Sequence, residues 1–325
     1  MKNRLPAFAL VVVMLSWASA FVVIRGIGPH VSPVPMAEGR LLVGAAVLGV
    51  VWAMRALSGG VREDGGLRLP RGRALALTLG YGALWFALYT VLVNAAERHL
   101  DAGTTALLVN IAPIVVAVLA GAFLHEGFPP LLAAGITISF GGAAVIAFTG
   151  DTRRDGLGVA LAVAAALLYG ISVVAQKLVL RSTDPLTATA LGAGVGAVVL
   201  LPWAPQLVRE LAAAPIGSTA GVIYLGVVPT ALAFLLWAYA LAHTSAGVAA
   251  SSSYAVPALS IVLSWAFLAE TPTAWGLLGG ALCLVGVAVS RITPRRRRPS
   301  AAPSASATRP ADSARPTSSP AAATC

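Results

Sequence analysis

Charge is what this sequence has least of. Only 10% of its 325 residues are Asp, Glu, Lys or Arg, against about 25% in a soluble domain. A water-facing surface cannot be built from so few charges at this length. The class that remains is a polytopic membrane protein, with the lipid bilayer as solvent for most side chains. Cysteine is almost as scarce. Cys283 falls inside an apolar run and Cys325 is remote from it, so no disulfide framework is expected. Two cysteines and four histidines show no metal-ligand spacing. No Ser-His-Asp set, HExxH motif or paired carboxylates occur. No GxxxxGK[ST] loop is present either, so ATP does not drive this chain directly. No catalytic residue, metal or cofactor is therefore expected, and an enzyme is not.

What is present is hydrophobicity, at 58% of residues, and a basic balance of +10. Many of the basic residues lie in short loops between apolar runs, which is a topology signal and not the footprint of a nucleic-acid partner. The opening stretch MKNRLPAFALVVVMLSWASAF has the basic start and Ala18-Ser19-Ala20 spacing of a signal peptide. Its apolar run continues to Ile24, however, for about 20 residues, enough to span. It is expected to be an uncleaved first span.

Ten apolar runs have this character, at 6–24, 35–56, 74–96, 102–124, 130–148, 157–179, 186–203, 217–241, 246–268 and 273–290. Runs this long without alternation are helices, because lipid offers the backbone no hydrogen-bond partner. With the N-terminus inside, 14 basic residues fall on the inner side and 5 on the outer. That bias places both termini in the cytoplasm. The stretch beyond residue 292 is rich in Pro, Ala and Ser and is expected to be a disordered cytoplasmic tail.

The runs also repeat. A shift of 144 lays AGTTALLVNIAPIVVAVLAGAFLHE (102–126) over AGVAASSSYAVPALSIVLSWAFLAE (246–270), with 10 identities in 25 positions. Pro113 falls on Pro257 and Glu126 on Glu270. Near the start of each half the shift is 152, which lays Trp17 on Tyr169 and Arg25 on Lys177. The chain therefore divides into a first repeat (1–150), a second repeat (151–292) and the tail (293–325). Five spans per repeat is an odd number, so the second repeat enters the membrane from the opposite side. Inverted repeats of this kind mark secondary transporters, with a binding site near the midplane. The fold class is an all-α integral membrane protein, with ten transmembrane helices as two inverted five-helix repeats.

The early SWASAFVVIRG, the EGR around Arg40 and the doubled P…FL-x-E resemble the drug/metabolite transporter superfamily, in its EamA-like ten-span branch. The resemblance covers about residues 5–292. It implies a bundle around a central cavity and transport of a small-molecule substrate, with amino acids, other metabolites and drugs all represented in the family. It implies little about which of these is moved. The expected function is export of an amino-acid-like or drug-like solute across the inner membrane by alternating access. A channel or small-molecule sensor on the same bundle is the alternative, with a membrane-embedded enzyme behind it. Proton or counter-substrate coupling and homo-oligomerisation stay open at this stage.

Polar and aromatic residues within the spans are the candidates for a site. Tyr81, Trp85 and Tyr89 are spaced by four and should share one face of a helix. With Trp17, Tyr169 and Trp237 they would make aromatic walls for apolar or cationic solutes, although plain packing accounts for them as well. Asn110 and Gln176 could hydrogen-bond a solute. So could Ser252 and Tyr254, which precede Pro257 as Asn110 precedes Pro113. Both prolines should kink their helices. Glu38 and Arg40 read as an ion pair or a gate, and Lys177 as an anchor or a gate. Glu126 and Glu270 each close a span and precede another, so they read as helix-junction residues, not proton carriers.

Overall fold

The computed structural model describes residues 4–58, 69–124, 131–149, 156–270 and 273–290. They form ten helical rods, and no strand occurs among them. Rod 1 is Arg4–Ile27, rod 2 Pro33–Leu57, rod 5 Leu132–Thr149, rod 6 Gly156–Val179 and rod 10 Ala274–Ser290. The other rods change character along their length. Rod 3 runs through Arg73–Tyr81, a π-helical turn Gly82–Tyr89 and Thr90–Ala96. Rod 8 does the same through Ile216–Leu225, a π-helical turn Gly226–Leu232 and Ala233–His243. Rod 4 is broken between Ala102–Val109 and Ala112–Phe123, and rod 9 between Ala246–Ser252 and Ala255–Leu268.

Eight of these rods are long and apolar enough to cross a membrane, and the remaining two, rods 5 and 10, contain shorter apolar helices. The protein is thus a multi-pass membrane protein. Its surface carries Phe8, Val11, Leu15, Val50, Met54, Val262 and Trp265 exposed, as lipid contact requires. Rod 7 departs from expectation. Beyond Pro185–Leu200 it continues through the turn Leu201–Trp203 into Ala204–Ala213. That last segment carries Arg209 and Glu210 and buries only Leu207, so its apolar content is too low to be read as a span. The expected tail, 293–325, and Glu126 lie outside the described residues.

Internal symmetry governs the caps. Ser32 and Asp184, related by the 152 shift, are the N-caps of rods 2 and 7, each followed by proline at the first helical position. Asp101 and Ser245, related by the 144 shift, accept from the backbone N–H three residues on, at 2.8 and 3.2 Å. Arg25 donates to the Glu97 carbonyl at the end of rod 3 (2.9 Å). Lys177, its equivalent, donates to the carbonyls of Leu241 and Thr244 at the end of rod 8. Each cation thereby meets the negative pole and free carbonyls of a helix C-terminus. The bundle has an Arg25 end and a Lys177 end, and the two repeats run oppositely between them.

The packing follows the same rule. Rod 1 lies on rods 8 and 9 as rod 6 lies on rods 3 and 4, and rod 3 lies on rod 7 as rod 8 lies on rod 2. Rods 5 and 10 pair directly. Ser139 Oγ donates to the Cys283 carbonyl (2.9 Å) while Cys283 Sγ donates to the Ser139 carbonyl (3.2 Å). These two residues are themselves 144 apart. Glycines let the backbones approach, with Gly142 against Gly279 and Gly286 against Gly135.

Candidate functional site

The two helix breaks meet at the centre of the bundle. Proline has no N–H, so Pro113 and Pro257 leave the carbonyls four residues back, at Val109 and Ser253, without their α-helical donors. Both residues line one central cavity, together with Asn110 and Val256. Asn110 Nδ2 donates to the Ala106 carbonyl (3.1 Å), which turns its Oδ1 toward Ser253. The Ser253 hydroxyl lies 3.2 Å from that oxygen and 2.7 Å from the Ala250 carbonyl. A hydroxyl has one proton, and the shorter contact claims it. Asn110 Oδ1 therefore keeps acceptor capacity facing the cavity.

Trp17, Trp85, Tyr89, Tyr169 and Phe234 wall the cavity. Their rings touch edge-on or tilted, with centroids 5.0 Å apart for Trp85 and Phe234 and 5.4 Å for Trp85 and Tyr169. Trp237 backs this wall, 5.0 Å from Trp17, and is fully buried. The cavity volume is about 50 Å³, against roughly 300–1,000 Å³ for a pocket that encloses a drug-sized ligand. It runs from the midplane toward the Arg25 end, where Ile24, Arg40 and Val93 line it.

Arg40 is the charged group of this cavity, and it is 7% exposed. The π-helical turn of rod 8 holds it. Pro229 lies within that turn and cannot donate to the Leu225 carbonyl four residues back. The Thr230 hydroxyl donates to Leu225 instead (2.7 Å) and accepts from Arg40 Nε (3.0 Å). Arg40 does not pair with Glu38. The Glu38 carboxylate is fully buried and finds no hydrogen-bond partner among the described residues. The ion-pair reading of these two residues is thus corrected: two positions apart on a helix, their side chains diverge.

Several sequence candidates fall elsewhere. Tyr81 is buried outside the cavity and donates to the Ala188 carbonyl of rod 7. Trp85 and Tyr89, which follow it in the π turn, do line the cavity. Ser252 bonds the Ala249 carbonyl (2.6 Å), and neither it nor Tyr254 lines the cavity, where Ser253 takes that place. Gln176 is fully buried and likewise outside. Glu270 binds Arg25 Nε at 3.0 Å, joining rod 9 to rod 1. Among the described residues no His, Cys, Asp and Glu group could hold a metal.

Beneath that bridge is a carboxylate the sequence did not single out. Glu97 is 2% exposed, and neither of its oxygens has a hydrogen-bond partner among the described residues. Burial pushes its carboxyl well above the usual range. Arg25 pulls it down, Glu270 and Asp101 push it up, and Arg40 pulls it down again.

An all-helical bundle of two inverted repeats around a polar-tipped aromatic cavity is the architecture of a membrane transporter. The EamA-like transporter family matches this chain twice, over residues 4–148 and 156–292, and the chain belongs to that family. It is 35% identical, over 93% of its length and 99% of the relative's, to a probable terminal-alkyne amino-acid exporter of Streptantibioticus cattleyicolor. It is 32% identical to the uncharacterized transporter YdfC of Bacillus subtilis, over 83% of this chain and 86% of that one. A solved crystal structure at 19% identity superposes with a TM-score of 0.60, covering 88% of this chain and 96% of the other, and shares the fold.

Proposed function

We infer that the protein is a secondary transporter that exports an amino-acid-like solute by alternating access. The observation that carries this reading is the meeting of two broken helices, one per repeat, at a cavity holding one buried guanidinium and an amide oxygen with a second lone pair to offer. A zwitterion matches those groups. Its carboxylate suits the planar fork of Arg40. Its ammonium suits Asn110 Oδ1 and the neighbouring aromatic faces. An apolar side chain suits the rings of Trp17, Trp85 and Tyr169. The name of the Streptantibioticus relative, a probable terminal-alkyne amino-acid exporter, supports the same solute class. On the charge bias of the loops we take the Lys177 end as cytoplasmic and the Arg25 end as outer, with both termini on the cytoplasmic side of the cell membrane. The two five-rod repeats span 1–150 and 151–292.

Flux in proteoliposomes tests this, with labelled L-leucine, L-phenylalanine and L-propargylglycine as probes. Saturable uptake that is stimulated by unlabelled solute on the far side is expected. Arg40→Ala should raise KM roughly tenfold to a hundredfold, the loss of a charge-assisted hydrogen bond worth about 1.5–3 kcal/mol. Arg40→Lys should fall between, because the charge stays and the fork is lost. A non-saturating conductance would favour a channel instead. Saturable flux of apolar cations with no amino-acid flux would make the solute drug-like.

A further inference from the structure

The residues lining the cavity run from the midplane toward the Arg25 end, and the repeat symmetry identifies those that should line a counterpart. Rod 1 contributes Trp17, Ala20, Phe21 and Ile24 to the cavity. Shifted by 152, these become Tyr169, Ser172, Val173 and Gln176 of rod 6. Rod 3 contributes Trp85, Tyr89, Thr90 and, nearest its Arg25 end, Val93, which shifted by 144 becomes Trp237 of rod 8. In this conformation Ser172, Gln176 and Trp237 are all fully buried on the Lys177 side of the midplane. The Ser172 hydroxyl, Oε1 of the Gln176 amide and the Trp237 indole nitrogen have no hydrogen-bond partner among the described residues. The Tyr81 phenol gives its proton to Ala188 and lies where the Gln176 N–H can donate to its oxygen, so Oε1 is the amide atom left without a donor.

Buried polar groups are almost always paired, and each exception calls for a reason. Leucine or valine at these positions would remove the desolvation cost altogether. Three orphans on one symmetry-related surface have a common cause if another conformation satisfies them. The geometry points to a second solute pathway, formed by Ser172, Gln176 and Trp237 when the bundle opens at the Lys177 end. The inference rests on the transporter reading and adds the loading route. The three residues named carry no charge, and Arg40 corresponds to Gly192 in the second repeat. The Gln176 amide, the Ser172 hydroxyl and the Trp237 N–H offer donors to a carboxylate and acceptors to an ammonium. A neutral zwitterion therefore suits this route better than a solute of net charge.

Cysteine accessibility tests the inference without a known solute. Ile24→Cys and Gln176→Cys are placed singly in a Cys283→Ser/Cys325→Ser background. Right-side-out and inside-out vesicles are then exposed to a membrane-impermeant maleimide. Opposite sidedness is expected, with Ile24→Cys labelled from the Arg25 end and Gln176→Cys from the Lys177 end, each roughly tenfold faster than from the other side. Labelling of both from one end, labelling of Ile24→Cys alone, or labelling of neither overturns the inference. Gln176→Leu supplies a second readout. It should melt higher, because a buried amide oxygen without a donor is gone, and turn over more slowly. A lower melting temperature or wild-type flux counts against the pathway. The two readings fail separately. Saturable amino-acid flux with one-sided labelling leaves the transporter and removes this route. Opposite labelling with no amino-acid flux leaves the route and removes the solute class.

Discussion

At the scale of single residues, position within the bundle decides what a polar group does. Arg25 and Glu97 both stand at the Arg25 end. Arg25 keeps 35% of its side chain exposed, whereas Glu97 is buried without a partner. The Glu97 carboxyl is held well above the value of about 4.3 that a free glutamate shows. The folded protein thus binds this proton more tightly than the unfolded chain does. Its contribution to stability is complete below the unfolded value and is lost as pH rises through the folded one. The melting temperature of wild type should therefore fall more steeply than that of Glu97→Gln as pH rises above the free-glutamate value. Parallel slopes would mean that Glu97 does not titrate as its burial implies. Little of this was legible in the sequence, where Glu97 reads as one more end-of-span acid. Arg40, by contrast, was legible, because a cation within an apolar run is costly to hold there and so marks a site by default. Ser253 was missed in favour of Ser252 and Tyr254 because all three fall at the break, where helical phase is lost.

At the scale of elements, the number of rods was legible and their internal geometry was not. Hydropathy reports how much of a helix lipid can cover, and it is blind to winding. The π turns of rods 3 and 8 begin at Gly82 and Gly226, which are related by the 144 shift. Each glycine allows a close crossing between the repeats. A Cβ on Gly82 would come within 2.9 Å of the Gly192 carbonyl oxygen, and one on Gly226 within 2.8 Å of the Arg40 carbonyl oxygen. Gly80, just before the first of these turns, faces open space. Alanine there should stabilise by up to about 1 kcal/mol, the usual gain for removing a mid-helix glycine. Gly82→Ala and Gly226→Ala should instead cost about 1–3 kcal/mol, because a backbone oxygen cannot rotate away as a side chain can. Thermal melts of the three variants in one detergent decide the matter. If all three shift alike, propensity outweighs the crossing and the π turns are not held by these contacts. The amphipathic Ala204–Ala213 segment escaped notice for a related reason: at the rim of a bundle, a helix needs only one apolar face.

At the scale of the whole molecule, two halves of one design hold the bundle by different means at its two ends. At the Lys177 end, Lys177 ties rod 6 to rod 8 within its own repeat. At the Arg25 end, Arg25 does the same for rod 3 and also reaches Glu270 across the repeats. That bridge roofs the side toward which the cavity runs. With side chains 35% and 30% exposed, it belongs to the class of ion pairs worth about 0–1 kcal/mol. If the transporter cycles as proposed, such a bridge can break and reform without adding a large barrier. The packing supports the same motion, since rod 1 meets rods 8 and 9 as rod 6 meets rods 3 and 4. A bundle built this way can exchange one set of contacts for the other. If exchange requires the Arg25 end to part, tying rod 1 to rod 9 there should stop it. In an Arg25→Cys/Glu270→Cys protein on the Cys283→Ser/Cys325→Ser background, a short bifunctional thiol reagent should abolish solute flux, and reductive cleavage of the tether should restore it. The two single-cysteine proteins, treated alike, should retain the flux they had before treatment. Undiminished flux in the tethered protein would place the moving interface away from rods 1 and 9, and the bridge would then be only a surface ion pair.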